Sequence, residues 1–386
     1  MPWKESHVME LRMKFVMRLK AGERMTDLCD EYGISRKTGY KFAERYERQG
    51  LGGLEDASRA PKRIPHRMSD ELQAVVVQMR RRHPSWGGRK LRDRLMKKYP
   101  GIQWPASSTI SSALKRHGLI KPGGRRRRRV EVERGSLLAA GAPNEVWCVD
   151  YKGQFRLGNS RYCYPLTITD LLSRYIVAIE SCEGTDEEAA HEVFEAAFRE
   201  YGLPMAIRSD NGTPFSSRAV AGLTVLSAYW LKLGICHQRI EPGHPEQNGA
   251  HERMHRTLKA ETTRPAGQNA LQQQERFDRF RAEFNEERPH DSLFGKTPAE
   301  LYKASNRSLP TPVPEPTYPL HDDTVLVGPH GHIRLPRSRQ VCLSKSLRGQ
   351  RVGLREEADG RWLVTFVNLD LGHYCPRTGG FESLSG

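Results

Sequence analysis

The feature that most restricts the fold is a change of pattern near residue 144. Upstream of it, apolar residues recur at the three- and four-residue spacing of helices, and downstream short β-rich runs come first. Strands are predicted at 146–151, 161–169, 174–180, 205–210 and 235–240, and helices at 185–201, at 220–232 and from Gly249 through 251–262. Three strands followed by alternating helices and strands predict an α/β domain with a mixed sheet.

The first 60 residues predict a helix-turn-helix domain. A helix over 5–20 is followed by a short helix near 25–32, a glycine turn, and a third helix over 36–48 with Ser35 as its N-cap. The start of the third helix is where such a domain reaches base edges and phosphates. The candidate DNA contacts are Arg36, Lys37, Thr38, Tyr40 and Lys41. The alternative is a plain three-helix bundle with a solvated polar face.

A second helical set follows a linker at 50–67 that is rich in Gly, Pro and basic residues. Helices over 70–83, from Trp86-Gly87-Gly88 onward, and over 107–117 predict a second helix-turn-helix domain within 61–134. Its candidate DNA contacts are Ser107, Ser108, Thr109, Ser112, Lys115 and Arg116. Five arginines that follow cannot pack together, which indicates a linker that tracks phosphates or, alternatively, a solvated charge run. They are Arg125, Arg126, Arg127, Arg128 and Arg129.

The distribution of charge supports a polyanionic partner for this region. Residues 1–134 contain 33 Lys and Arg against 15 Asp and Glu, whereas the remainder contains 29 against 31. The whole formal net charge of +16 is therefore carried by the N-terminal third. A basic module joined to a near-neutral one is typical of a protein whose module binds double-stranded DNA with release of counterions.

Three carboxylates occupy positions in the central domain where metal chemistry needs them. Asp150 lies on the first predicted strand, Asp210 ends the fourth beside Asn211-Gly212, and Glu252 begins the long helix. Strand ends and helix starts can meet at one edge of a sheet, where three carboxylates would repel one another unless they held cations. Oxygen ligands of this kind suit Mg²⁺ or Mn²⁺, and two such ions can promote displacement at a phosphate.

Three motifs carry a family resemblance, namely VWCVDYKG, RSDNGTPF and GHPEQNGAHERMHRTLKAE. Together with FNEERPH at 284–290 and Thr297-Pro298, they resemble the integrase-core transposases of bacterial insertion sequences, relatives of the retroviral integrases. The resemblance implies an RNase H-like catalytic core over 135–304 and a metal-binding triad of Asp150, Asp210 and Glu252. It also implies that Arg256 and Lys259, four and seven residues after Glu252, contact the DNA end. A solvated amphipathic helix is the alternative for these two.

Other polar residues near the motifs could be mistaken for ligands. Thirty-five residues separate Asp210 from Glu246, the spacing typical of retroviral integrases, and 41 separate it from Glu252. Glu252 is preferred because it begins the helix that carries the basic pair. Asp170 is interpreted as the cap of a turn. His251 and His255 are interpreted as residues of an exposed helix face, because no third ligand accompanies them.

The C-terminal region, 305–386, begins with a proline-rich linker and predicts a small β-barrel from strands at 324–327, 332–335, 340–343, 351–356 and 362–367. The seven scattered cysteines indicate reduced thiols. No apolar stretch is long enough for a membrane helix, and a cytoplasmic, nucleoid-associated protein is expected.

These patterns together predict a DNA transposase that binds the terminal inverted repeats of its element. It would cleave the 3′ ends with two Mg²⁺ or Mn²⁺ ions and join them to target DNA, acting as a homo-oligomer because two ends must be handled together. The alternatives are a catalytically inactive helix-turn-helix regulator and an RNase H-like nuclease without strand transfer.

Overall fold

The computed structural model describes residues 8–56, 68–120, 139–217, 219–241, 244–335, 340–357, 360–378 and 380–384. The chain divides into two compact units, Met1–Met68 and Ser69–Gly386. In the described ranges, every helix is too short or too polar to cross a membrane. All seven cysteines are free thiols.

The first unit has the predicted helix-turn-helix, formed by α1 (Val8–Lys20), α2 (Met25–Glu31) and α3 (Arg36–Gln49). The turn before α3 uses Gly33, whose φ of 65° a glycine adopts without strain. The Ser35 side chain then accepts a hydrogen bond from the Thr38 amide and caps the helix. Gly39 lies against α2, since a Cβ there would come within 2.9 Å of Cys29 Sγ. A small residue is therefore needed where the two helices cross.

The second unit begins with α4 (Asp70–Arg82), α5 (Gly88–Lys98) and α6 (Ser107–Arg116), close to the predicted helices. Gly88 allows α5 and α6 to approach, because a Cβ there would lie 2.6 Å from the Ser107 carbonyl oxygen. The fully buried Trp86 stacks on His83, with ring centroids 3.9 Å apart. Within the Trp-Gly-Gly sequence, Trp86 therefore lies in the buried core of this helical set, and Gly88 allows α5 and α6 to pack closely.

The central part of the second unit contains the strands and helices that carry the three motifs. They are β1 (Val146–Tyr151), β2 (Phe155–Arg156), β3 (Tyr162–Asp170), β4 (Ile176–Cys182), α7 (Glu187–Tyr201), β5 (Ala206–Ser209), α8 (Val225–Lys232), β6 (Cys236–Arg239), α9 (Gly249–Thr262) and α10 (Ala270–Ala282). The predicted helix at 220–232 starts later than expected. A short 3-10 turn ends at Gly222, and Thr224 and Ser227 form a capping box that begins α8.

The sheet of this domain has the strand order β4-β3-β1-β5-β6, with β2 on part of β3. Strand β3 runs antiparallel to β1 and β4, whereas β5 runs parallel to β1 and β6 parallel to β5. An antiparallel three-stranded meander extended by two parallel strands is the arrangement that the RNase H-like prediction requires. The predicted α/β core is confirmed in this respect.

The two faces of β1 have different neighbours because side chains alternate along a strand. Trp147 and Val149 pack into a cluster with Phe194 and Phe198 of α7 and Trp230 of α8. A second cluster on the other side joins residues of β3 and β4 to α9 and α10. The sheet is therefore covered by helices on both faces, and residue 150 points toward α9.

The second helical set contacts the helices that follow the sheet. His83 Nδ1 lies 2.8 Å from Glu283 Oε1, and Lys97 Nζ lies 2.6 Å from Glu300 Oε2. The Ser85 hydroxyl donates to Glu261 Oε1 at 2.6 Å. These contacts are made by α4, α5 and the loop between them and not by α6, whose Ser108, Ser112, Lys115 and Arg116 are exposed.

The C-terminal region forms sheets, but the predicted barrel is not confirmed. Five strands pair in the order β13-β12-β11-β10-β7, and β8 pairs with β9. Their bounds are β7 (Asp323–Leu326), β8 (His332–Arg334), β9 (Gln340–Cys342), β10 (Arg351–Glu356), β11 (Trp362–Phe366), β12 (Leu369–Cys375) and β13 (Gly380–Ser383). Among the described residues the sheet is open. Its apolar face also packs on Leu223 and Ala228 around α8. The apolar side chains of the sheet are therefore buried without the strands closing into a barrel.

Replacing Asn144 by Ala is expected to destabilise the core by about 2–4 kcal/mol. The Asn144 amide oxygen accepts from Trp147 Nε1 at 3.0 Å and from the Tyr302 hydroxyl at 2.8 Å, and its nitrogen donates to the Lys303 carbonyl at 2.7 Å. The substitution leaves these partners without a bond in a buried place, and it puts alanine at a φ of 65°. Urea unfolding measures the effect. The exposed Asn159→Ala serves as control and should change stability by less than about 0.5 kcal/mol.

Candidate active site

Asp150 is the centre of the charge cluster in the core. It is the fifth residue of β1, and its side chain is 26% exposed. Burial and the neighbouring Asp210 carboxylate raise the pKa of Asp150 to about 7, with a smaller contribution from Glu252, while Lys152 opposes the change. Asp150 therefore interacts electrostatically with each of the other two predicted carboxylates at the C-terminal end of β1.

Asp210 reaches this edge because of the sheet's topology. It directly follows β5, the parallel neighbour of β1, so both strands run toward the same edge of the sheet. The Gly212 amide donates to Asp210 Oδ1 at 3.1 Å. The Asn211 side chain donates to the Ile240 carbonyl at 2.8 Å, which ties the turn to the end of β6. The Asp-Asn-Gly sequence thus fixes the direction of the carboxylate.

Glu252 lies in the first turn of α9, the helix that crosses β1. Its side chain is exposed, as expected for a residue that would face a substrate. Glu246 belongs to the short 3-10 turn Pro245–Asn248 before α9, and its side chain lies outside the described residues. The preference for Glu252 over Glu246 therefore stays a prediction.

The donor set matches the chemistry of a hard divalent cation. In the ranges that the structure describes, no group of three His, Cys, Asp or Glu side chains is arranged to hold an ion by itself. Mg²⁺ does not need such a group, since it usually takes one or two carboxylates and completes its shell with water and substrate phosphates. Carboxylates that repel one another are stabilised when a cation binds between them, and these three offer only oxygen ligands.

Basic side chains follow two of the carboxylates along the chain. Arg256 and Lys259 are exposed on α9, one and two turns after Glu252. Lys259 and Lys152 both line a cavity of about 170 Å³ whose apolar side is formed by residues such as Leu258 and Phe277. The sequence prediction missed Lys152. Its position two residues after Asp150 was the available signal.

His251 and His255 are not residues of an exposed helix face, so that interpretation was wrong. They are 2% and 3% exposed and contact Thr167 and Thr169 of β3. Both lie on the stripe of α9 that packs on the sheet. The interpretation of Asp170 is confirmed, because its carboxylate accepts from the Asn144 and Ser173 amides, each at 2.7 Å, and therefore caps the turn.

The predicted DNA-contacting residues of α3 lie at its start. Arg36, Lys37 and Lys41 are exposed, and Tyr40 is 61% exposed, which is unusual for an aromatic side chain. Thr38 is half-buried, and its hydroxyl lies 2.9 Å from Ser35 Oγ as part of the cap. Four of the five predicted contacts therefore present their side chains to solvent.

The predicted contacts of α6 divide in a similar way. Ser108, Ser112, Lys115 and Arg116 are exposed, whereas Ser107 and Thr109 are half-buried. The five arginines at 125–129 lie outside the described residues.

Family models match most of these elements. Two models described as "Integrase core domain" match residues 140–245 and 233–298. A "Helix-turn-helix domain" model matches 11–62, and a "Homeodomain-like domain" model matches 38–114. The matches cover the first helix-turn-helix, the second helical set and the sheet with its three carboxylates.

Solved structures of viral integrases share the chain's core only distantly. The HTLV-2 integrase catalytic core domain in complex with magnesium aligns with 43% of this chain and all of its own, at 16% identity and a TM-score of 0.35. A chain from the structure of the simian T-cell lymphotropic virus intasome in complex with PP2A regulatory subunit B56 gamma aligns with 75% of this chain and 91% of its own, at 14% identity and a TM-score of 0.39.

Similar sequences come from bacterial insertion elements. A 39.2 kDa protein of insertion element IS476 from Xanthomonas euvesicatoria is 30% identical over 261 residues, which cover 67% of this chain and 72% of that protein. A 31.7 kDa protein of IS407 from Burkholderia multivorans is 31% identical over 185 residues, covering 48% of this chain and 64% of that protein. With these relatives and the integrase-core matches, the chain belongs to the integrase-core transposases of bacterial insertion sequences.

Proposed function

We propose that this protein binds the terminal inverted repeats of its insertion sequence and catalyses metal-dependent 3′-end cleavage and strand transfer. The observation that carries the proposal is the electrostatic coupling of Asp150 to Asp210 and Glu252 at one edge of the sheet. Two carboxylates that raise the pKa of a third form with it a cluster of negative charge that divalent cations would neutralise.

In this mechanism Asp150, Asp210 and Glu252 would hold two Mg²⁺ or Mn²⁺ ions. When bound, such ions would activate the attacking oxygen and stabilise the leaving oxygen at phosphorus. Water attacks in cleavage, and the freed 3′-hydroxyl attacks in strand transfer, so one site serves two in-line displacements. Arg256, Lys259 and Lys152 neutralise phosphates beside the scissile bond.

The helical sets supply sequence recognition. The exposed cations and Tyr40 at the start of α3 read one segment of the repeat, and the exposed face of α6 reads another. The arginines at 125–129 lie in the linker between the second helical set and the catalytic core and bind phosphates there. The C-terminal sheet serves DNA binding or assembly. We infer a homo-oligomer on paired ends, acting in the cytoplasm on nucleoid DNA.

A strand-transfer assay tests the proposal. Labelled element ends are incubated with the full-length protein, a supercoiled plasmid and Mn²⁺, and joined products are resolved on a gel. We expect joined products that disappear when EDTA is added. Metal-dependent nicking without joining would identify a nuclease, and end binding without nicking would identify a regulator, so either result would contradict the proposal.

A further inference from the structure

A buried hydrogen-bonded seam joins the helix of Glu252 to the strand of Asp150. Thr167 is fully buried on β3, between β1 and α9, and its hydroxyl oxygen lies 2.7 Å from His251 Nε2 and 2.6 Å from His255 Nε2. The same hydroxyl donates to the Asp150 backbone carbonyl at 2.9 Å. His251 Nδ1 lies 2.8 Å from the Thr169 hydroxyl.

Counting donors fixes the roles of both imidazoles. A threonine hydroxyl has one hydrogen and two lone pairs, and the Thr167 hydrogen goes to the Asp150 carbonyl, which can only accept. Both histidines must therefore donate to Thr167 from Nε2–H. In a neutral imidazole that donates from Nε2–H, Nδ1 is the acceptor. His251 Nδ1 accepts from Thr169.

The remaining nitrogen, His255 Nδ1, lies 3.6 Å from Asp150 Oδ2. This distance is too long for a hydrogen bond between the ring and the carboxylate. The seam therefore acts on Asp150 through its backbone carbonyl. The path runs from α9 through the Thr167 hydroxyl to β1.

We propose that Thr167, His251 and His255 are positioning residues that set the separation between the Asp150 and Glu252 carboxylates. His251 is adjacent to Glu252 in the chain, and His255 lies one helical turn further along α9. Because both rings bond to the Thr167 hydroxyl oxygen, they fix the first turn of α9 against the sheet, both along the helix axis and in rotation about it. The role rests on the proposed function, because the separation matters only if both carboxylates hold the ions.

The tautomers give a test that is independent of activity. Two-bond ¹H–¹⁵N correlation spectra of the full-length protein with ¹⁵N-labelled histidine distinguish Nε2–H from Nδ1–H rings, and His251→Gln and His255→Gln assign the signals. We expect Nε2–H for both rings between pH 6 and 8. An Nδ1–H ring at either position would overturn the seam, whatever the protein does to DNA.

Thr167→Val tests the effect on the ions, since it removes the hydroxyl and keeps the shape. We expect the Mn²⁺ concentration for half-maximal nicking to rise at least about tenfold, Mn²⁺ binding to the DNA-free protein to weaken in parallel, and the Kd for element ends to stay within about twofold. Thr167→Ser should restore the wild-type values.

Thr262→Val is the matched control, because it removes a buried hydroxyl of α9 whose hydrogen bond stays within the helix, to the Leu258 carbonyl. Unchanged metal affinity in a folded Thr167→Val protein would overturn the proposal.

If Thr167→Val does not fold, a pair of variants at His255 gives the answer. A glutamine amide nitrogen reaches the position of Nε2 and an asparagine amide nitrogen that of Nδ1. His255→Gln should retain metal affinity within about threefold, and His255→Asn should lose at least about tenfold. The reverse order, or equal affinities, would contradict the seam. Failure of the proposed function would look different, as the wild-type protein would then lack nicking, or nick without joining, while the tautomer spectra were unchanged.

Discussion

Asp150→Asn, Asp210→Asn and Glu252→Gln are each expected to lower cleavage and strand transfer by at least about a thousandfold, which corresponds to roughly 4 kcal/mol in the transition state. Each substitution keeps the shape of the side chain and removes one negative charge from the cluster around Asp150. With that charge gone, the ions are held less well and the phosphate loses the groups that neutralise its developing charge. Rates are measured with pre-cleaved and uncleaved element ends.

Binding of the element ends gives the first control for these variants. The helices proposed to read DNA, α3 and α6, contain none of the three carboxylates, so the Kd for the ends in EDTA should change by less than about threefold. The melting temperature should not fall, because removing mutually repelling carboxylates relieves electrostatic strain. A variant deficient in binding or folding as well as in activity would show a structural role.

Glu246→Gln is the second control, because Glu246 has the spacing from Asp210 that retroviral integrases use. Since Glu252 acts on the charge of Asp150 and begins α9, we expect Glu246→Gln to retain at least about a third of the wild-type rate. Loss of activity in Glu246→Gln together with survival of Glu252→Gln would reverse the assignment of the third carboxylate.

Most of the sheet could be predicted from sequence because burial follows its strands. Residues 146–149 of β1 are buried, as are 206–209 of β5, and runs of this kind stand out among polar turns. The C-terminal sheet was harder to predict. Strand β12 contains Gly372 and Asp370 and pairs with β11 across a register shift, so its alternation is broken and it was missed.

The burial of the two histidines could have been predicted from the sequence, although their partners could not. His251 and His255 occur at the same helical spacing as Met254, Leu258 and Thr262, and all five are buried on one stripe of α9. Each histidine was interpreted as a possible metal ligand and then assigned to the surface when a third ligand was lacking. The apolar stripe predicted burial, but the partners Thr167 and Thr169 lie more than 80 residues away in the chain, and sequence alone does not pair them.

Replacing Arg36, Lys37 and Lys41 together by Ala is expected to weaken binding of the element ends by roughly a hundredfold to a thousandfold. These three side chains are exposed at the start of α3, where a recognition helix meets the major groove. The logarithm of the binding constant falls linearly with the logarithm of the salt concentration, and each lost phosphate contact reduces the magnitude of this slope by about 0.9. If all three side chains bind phosphates, the slope should therefore fall by about 2.7 in magnitude, measured by fluorescence anisotropy between roughly 50 and 200 mM salt.

A charge-matched triple variant separates recognition from general attraction. Lys14, Lys20 and Arg24 are exposed cations of the same unit on α1 and the loop after it, and replacing them by Ala removes the same net charge. Long-range attraction alone would make the two triple variants equal in affinity and in salt slope, and that result would contradict a recognition role for α3. A base-reading side chain leaves a different signature from a phosphate-binding one, because its removal lowers the preference for the element end over random DNA while the slope stays unchanged. Measuring both DNAs for each single substitution therefore assigns Arg36, Lys37 and Lys41 individually to bases or to phosphates.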